Sequence, residues 1–174
     1  MSEPERGALL AHLTGLPDQM RALPPAASTG VQSCTLGSLY DSRIPKPDPR
    51  FGPFDTIQDF HHCLRDGLII PQIKDENYRA EWGKRIAKQD SDWPAPVFTR
   101  GDLNPSNILV HKGKMSGIID WEFVGWCPRY WEYTSAWYGN RLRTDWQDLL
   151  DKVLTPFPEE LEMEVIRQKW CGDF

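Results

Sequence analysis

Leu9, Leu10, Leu13, Leu16 and Met20 recur at intervals of three and four near the N-terminus. That spacing predicts an amphipathic helix over residues 4–23, which Pro17 should break or kink. A stretch rich in Pro, Gly and Ser follows over residues 24–53. Within it VQSCTLGSLYDSRI predicts a small hairpin, and KPDPRFGPFD a loop that its prolines hold extended. Ile57, Phe60, His61, Leu64 and Leu68 mark a second helix, capped by Asp55 or Thr56. Tyr78, Trp82 and Ile86 form the inward stripe of a mostly charged third helix over residues 75–88. The pattern then changes to short β-branched runs, PVFTR, ILVHK and SGIID, before three helices over residues 129–140, 145–154 and 159–170. No internal repeat is visible. These elements predict an α+β fold, mainly helical, with a small β-hairpin placed between the helices.

Composition narrows the setting. The chain has 174 residues, 40% of them hydrophobic, which suits a single domain with a core of its own. A formal charge of −5 and no basic run disfavour nucleic acid as a partner. No apolar run approaches the ~20 residues that span a bilayer, so no membrane partner is expected either. Cys34, Cys63, Cys127 and Cys171 are scattered without a C-x-x-C pair; they predict reduced, mostly buried thiols rather than a zinc site or a disulfide framework. The N-terminus lacks a secretory pattern, and a cytoplasmic location is expected.

The chemistry concentrates in FTRGDLNPSNILVHKGKMSGIIDWE, residues 98–122. A two-residue loop at Gly113-Lys114 suits a type II′ turn, and facing residues would then sum to 227. Asn107 and Asp120 do, which places them side by side at the open end of the hairpin. Asp102 precedes them in a loop with Gly101 and Pro105 that can curl back to the same place. Such oxygen-bearing side chains suit a hard cation. Magnesium takes one or two carboxylates and keeps phosphate oxygens or water in its other positions. Asp120 and Asn107 are its candidate ligands, and Asp102 is the candidate base for a hydroxyl attacking phosphorus. Singly, each residue has a structural alternative: a turn cap, a satisfied loop amide, a strand end.

GDLNPSNILV followed by IIDWE resembles the catalytic core of the aminoglycoside phosphotransferase and choline kinase-like family, within the protein-kinase-like fold. GWCPRYWEY and GPFDTIQDFHHCL are similar to segments of its fungal members. The resemblance covers residues 51–138 well and the N-terminal helix more loosely. It implies the large, C-terminal lobe of a kinase-like phosphotransferase over 1–174. That lobe divides into a helix and Pro-rich loop (1–54), helices with the catalytic hairpin (55–128) and C-terminal helices (129–174). It further implies magnesium and ATP as cofactors, a small-molecule substrate, Asp102 as base, and Asn107 and Asp120 as metal ligands.

Two features depart from the family pattern. Arg100 stands where the family has His; a permanent cation there either pairs with Asp102 or Asp120 or points to solvent. The small lobe is not recognisable. No G-x-G-x-x-G or G-x-x-x-x-G-K-[ST] occurs, and the first lysine, Lys46, lies between prolines. A small lobe would then come from another chain, from a second copy in a homo-oligomer, or from sequence outside this chain. Two other readings stay open. One is an ATP-independent enzyme that uses Asp102, Asp120, Glu122 and Arg100 for acid–base or electrostatic work, such as an isomerisation or cyclisation. The other is a non-catalytic binding module. Trp121, Trp126 and Tyr130 could wall a small-molecule pocket, with Glu122 or Glu132 as its polar groups and Arg129 as their partner. His61 and His62, adjacent on a helix, predict one packed ring and one exposed. His111 is expected at the surface near the hairpin tip.

Overall fold

The computed structural model describes residues 3–25, 29–44 and 48–171. Lys46 and the Cys171 thiol lie outside what is described.

Among the described residues, six α-helices and three small sheets form the fold. Helix α1 (Glu3–Arg21) runs unbroken through Pro17, contrary to the expected break. The apolar stripe carries it across: Leu13 and Met20, on either side of Pro17, are both buried, and packing outweighs the hydrogen bond that proline cannot make. Helix α2 (Ile57–Leu64) starts at Thr56, whose hydroxyl accepts the Asp59 N–H at 3.0 Å, and α3 (Glu76–Gln89) starts at Asp75, which accepts from Tyr78 N at 2.8 Å. Helices α4 (Trp131–Gly139), α5 (Thr144–Val153) and α6 (Pro158–Cys171) follow the expected order. No described helix is long and apolar enough to cross a membrane.

The strands pair differently from the expected hairpin over VQSCTLGSLYDSRI. Strand β1 (Gln32–Ser33) joins β7 (Gly125–Cys127), with β4 (Val97–Thr99) on the far side. Strand β2 (Leu39–Tyr40) pairs with β3 (Arg50–Phe51), inside the loop expected to be merely extended. Burial decides it, because Leu39 and Phe51 meet across β2–β3 in one core cluster with Val31, Phe60 and Trp131.

Strands β5 (Ile108–His111) and β6 (Lys114–Ile118) form the central hairpin, but its register is shifted from the expected one. Lys112 and Gly113 have φ of 50° and 73°, the two positive values of a type I′ turn, so the loop is one residue earlier than Gly113-Lys114. A bulge between Leu109 and Val110 then shifts the pairing. As a result the Asn107 carbonyl takes the Ile119 N–H at 2.9 Å. Asn107 therefore faces Ile119, and Asp120 lies one residue beyond, on a left-handed turn with φ of 63°.

A second core cluster joins Leu13 of α1 and Leu103 to Tyr133, Ala136, Trp146 and Leu150 of α4 and α5. It sits under the loop that carries Asp102. A third, with Ile73, Trp82 and Ile86, closes the α3 side.

Candidate active site

The chain leaves β4 at Thr99 and turns sharply through Arg100 and Gly101. Gly101 has φ of 81°, and a Cβ there would sit 3.0 Å from the Phe123 carbonyl oxygen. Glycine thus allows the Asp102 loop to lie against the loop after β6. Buried Leu103 anchors the next residue, and Asn104 caps the short 3-10 turn Pro105–Asn107 by accepting from Ser106 N at 3.0 Å. This turn swings Asn107 back onto Asp102, where Asn107 Nδ2 donates to Asp102 Oδ2 at 2.7 Å.

Arg100 does neither of the two things expected of it. Its side chain is 1% exposed, and its guanidinium donates to backbone carbonyls, Ile119 O at 2.6 Å and Asp120 O at 2.8 Å. The reason is geometric. One nitrogen, Nη2, carries two N–H groups and reaches both successive carbonyls of the tight turn, and the Trp121 ring lies 5.7 Å from the guanidinium centre. Burial lowers the Arg100 pKa from its ordinary value, while the Asp102, Glu132 and Asp120 carboxylates oppose the shift. Arg100 is therefore a strut between the Asp102 loop and the Asp120 turn.

Glu132, in the first turn of α4, accepts the backbone N–H groups of Arg100 at 2.7 Å and Gly101 at 3.0 Å through one oxygen. Burial raises its pKa, and those two hydrogen bonds pull the other way. It is a structural clamp on the turn before Asp102, not a polar group of an open pocket. Arg129 is exposed.

Trp126 and Tyr130 do not wall a pocket. Trp126 lies within β7, is buried and stacks edge-on against Phe98 at 5.5 Å. Tyr130 is buried, with its hydroxyl 2.7 Å from His61 Nε2. Alternation along a three-residue strand too short to show a period hid Trp126. Trp121 is 42% exposed, with its indole N–H donating to Ile118 O at 2.9 Å, and Glu122 is exposed beside it. Both line a cavity of about 330 Å³ with Cys34, Tyr40 and Arg50, and neither Asp102 nor Asn107 lines it. The expected histidine pattern holds: His61 is buried, His62 and His111 exposed. Cys34 is exposed, unlike the buried Cys127, whose thiol pKa burial pushes up.

The site contains one residue that sequence reasoning missed. Arg43, just after β2, forms a two-pronged ion pair with Asp41 (2.8 and 2.7 Å) and donates to Gly101 O at 2.6 Å. It reaches Asp102 Oδ1 at 3.5 Å and lies 4.5 Å over the Phe123 ring. Burial opposes its charge, but the Asp41 hydrogen bond and the charges of Asp41, Asp102 and Glu132 outweigh it, raising the pKa. Arg43 is separated from Asp102 by 59 positions and sits in a segment with no motif, so nothing in the sequence signals it.

Among the described residues, no group of three or more His, Cys, Asp or Glu is placed to hold a metal ion by itself. The donors present near Asp102 are the oxygens of Asn107 and Asp120. Asn107 engages Asp102 through its nitrogen, which leaves its side-chain oxygen on the other arm of the amide. The Asp120 carboxylate is exposed. An amide oxygen and a carboxylate are hard donors of the kind that magnesium takes.

A crystal structure of a thermostable mutant of aminoglycoside phosphotransferase APH(4)-Ia, in its apo form, is similar at a TM-score of 0.49 and 15% identity, over 99% of this chain and 68% of that one. No curated protein matches the chain in sequence. The model of the phosphotransferase enzyme family (APH) matches residues 7–156, spanning α1, the Asp102 loop, the hairpin and α5. With most of its length inside that match, the chain belongs to the phosphotransferase enzyme family.

Proposed function

We propose that this chain carries the metal-binding and acceptor side of a phosphoryl-transfer site and acts on a hydroxyl of a small molecule. The observation that carries the reading is the Asn107–Asp102 hydrogen bond of 2.7 Å, with Asp120 held to the same loop by Arg100. Asp102 orients the acceptor hydroxyl and takes its proton, while Asn107 and Asp120 hold magnesium. Bound magnesium-ATP would supply the phosphoryl group and neutralise its charge. Arg100 and Glu132 are positioning residues that fix the two turns.

A second reading is an ATP-independent small-molecule enzyme on the same residues. It is favoured by the Arg43 guanidinium beside Asp102, a cation able to stabilise developing negative charge.

Phosphorus NMR with magnesium, ATP and a panel of small alcohols separates the two. Phosphoryl transfer predicts a new phosphate ester, lost with EDTA and reduced about 100-fold or more by Asp102→Asn. Turnover of a panel compound that persists without ATP and with EDTA, yet needs Asp102, would favour the second reading.

A further inference from the structure

A cavity of about 500 Å³ opens between the end of α4 and the turn that follows β2. Arg43, Arg141 and Arg143 line it, with Tyr138, Gly139 and Leu142, and no acidic residue is among the described residues of its walls. This is unexpected in a chain with 25 acidic and 20 basic residues. The size falls within the ordinary range of small-molecule sites.

Asp102 does not itself line the cavity, but two residues that do, Arg43 and Gly139, lie beside it. A Cβ on Gly139 would lie 3.6 Å from Arg43 Nη1 and 3.9 Å from Asp102 Oδ1. The absent side chain therefore leaves open the short path between the cavity wall and the Asp102 carboxylate. The three guanidiniums are not equivalent. Arg43 is committed to Asp41, Gly101 and Asp102. Arg141 lies over the Tyr138 ring at 5.5 Å and donates to its hydroxyl at 3.1 Å. Arg143 is exposed and forms no ion pair with a described residue. Tyr138 adds a ring wall, and Leu142, 91% exposed, an apolar rim.

We propose that this cavity is the acceptor pocket and that it selects hydroxylated anions, carboxylates with an apolar body, over hydroxylated amines. The carboxylate meets the Arg143 side of the cavity, the apolar body lies along Tyr138 and Leu142, and the hydroxyl points past Gly139 to Asp102. Guanidinium pairs with carboxylate through charge-assisted, two-pronged hydrogen bonds, whereas an ammonium group would meet the like charge of Arg143, which no described carboxylate pairs. The proposal rests on the acceptor-site reading of Asp102 given above.

Three probes test it: 3-hydroxybenzoate, 3-hydroxybenzyl alcohol and 3-hydroxybenzylamine, equal in ring and phenol and different in charge. Titration calorimetry without nucleotide should show 3-hydroxybenzoate binding about tenfold tighter than the alcohol, and the amine weakest. Rising salt should erode the preference. Arg143→Glu, an exposed change, should abolish it, and Gly139→Val should weaken all three by filling the passage. Equal or tighter binding of the amine, no binding of any probe at millimolar concentration, or a preference untouched by Arg143→Glu would overturn the proposal. The two readings fail separately. Binding of the carboxylate without any turnover leaves this pocket standing and counts against phosphoryl transfer. Phosphorylation of the amine by a chain that binds it best does the reverse.

Discussion

At the scale of single residues, the site is held by side chains that do no chemistry themselves. Arg100 bridges two carbonyls that lie 19 and 20 positions away. Lysine keeps the charge, but its shorter stem ends about one bond short of the position of Nη2, which makes both hydrogen bonds. Arg100→Lys should therefore lower stability by about 1–3 kcal/mol in urea denaturation, and should lower turnover further in protein that is still fully folded, because the Asp120 turn loses its tie. Glu132 works on the other side of the same turn. Its raised pKa means that the native state holds the Glu132 proton to higher pH than the unfolded chain does. Stability must then fall as pH rises upward from the ordinary glutamate value of 4.5 to the raised one. Glu132→Gln keeps an oxygen for the two N–H groups and removes the titration. Across about pH 4 to 7, the difference in urea midpoint between Glu132→Gln and the parent should shift in favour of the Gln variant as pH rises. A difference that stays constant would show that Glu132 does not titrate in that window.

At the scale of elements, the hairpin that places Asn107 depends on its turn. Lys112 occupies left-handed backbone at φ 50°, which costs a residue with a Cβ roughly 1 kcal/mol and which asparagine tolerates better. Lys112→Asn should raise stability by about 0.5–1 kcal/mol and leave the Asn107–Asp102 contact intact, whereas Lys112→Val should destabilise by a similar amount or more; thermal melts of both variants check this. The same hairpin shows which information lies in sequence. Its two β-branched runs and central glycine predict a hairpin at the right place. They do not reveal that the turn falls at Lys112-Gly113, which moves the pairing by two positions, or the bulge at Leu109/Val110, which restores one of them, so the expected Asn107–Asp120 pairing is off by one residue. The starts of helices α2 and α3 were legible nearly to the residue, since Thr56 and Asp75 cap them by local chemistry, whereas α2 ends at Leu64, short of the expected Leu68. Of the strands of two or three residues, Val97–Thr99 was legible within PVFTR, but the pairing of the others was not. Gln32–Ser33 and Gly125–Cys127 carry too few positions for a period, and only their long-range pairing defines them.

At the scale of the whole molecule, the same division separates the legible half of the site from the other half. Asp102, Asn107 and Asp120 sit within a 19-residue stretch, and their spacing is a local property of one loop and one hairpin. Arg43 and Gly139 reach Asp102 from before and after it through tertiary packing, and Arg143 lines the cavity beside them, so neither the charge nor the shape of that cavity can be read from the motif. The core beneath is tied in a similarly non-local way. His61 on α2 contacts the Gln89 carbonyl at the end of α3 at 3.0 Å and the Tyr130 hydroxyl at the start of α4 at 2.7 Å. A carbonyl only accepts, so Nδ1 carries the proton and Nε2 accepts from Tyr130. Burial pushes the His61 pKa down to about 4, with the Gln89 hydrogen bond opposing. Between that value and the ordinary 6.5 the unfolded chain binds the proton and the native one does not. Stability contributed by neutral His61 is thus complete above pH 6.5 and is lost as pH falls toward 4, by on the order of 3 kcal/mol. His61→Gln removes the titration and should flatten this acid limb. Tyr130→Phe leaves Nε2 without its donor and should cost about 1–3 kcal/mol at neutral pH. Urea midpoints measured from pH 7 down to pH 4 decide the matter. An acid limb equally steep in the parent and in His61→Gln would place the sensitivity elsewhere in the molecule, and would remove His61 as the group that couples protonation to the packing of these three helices.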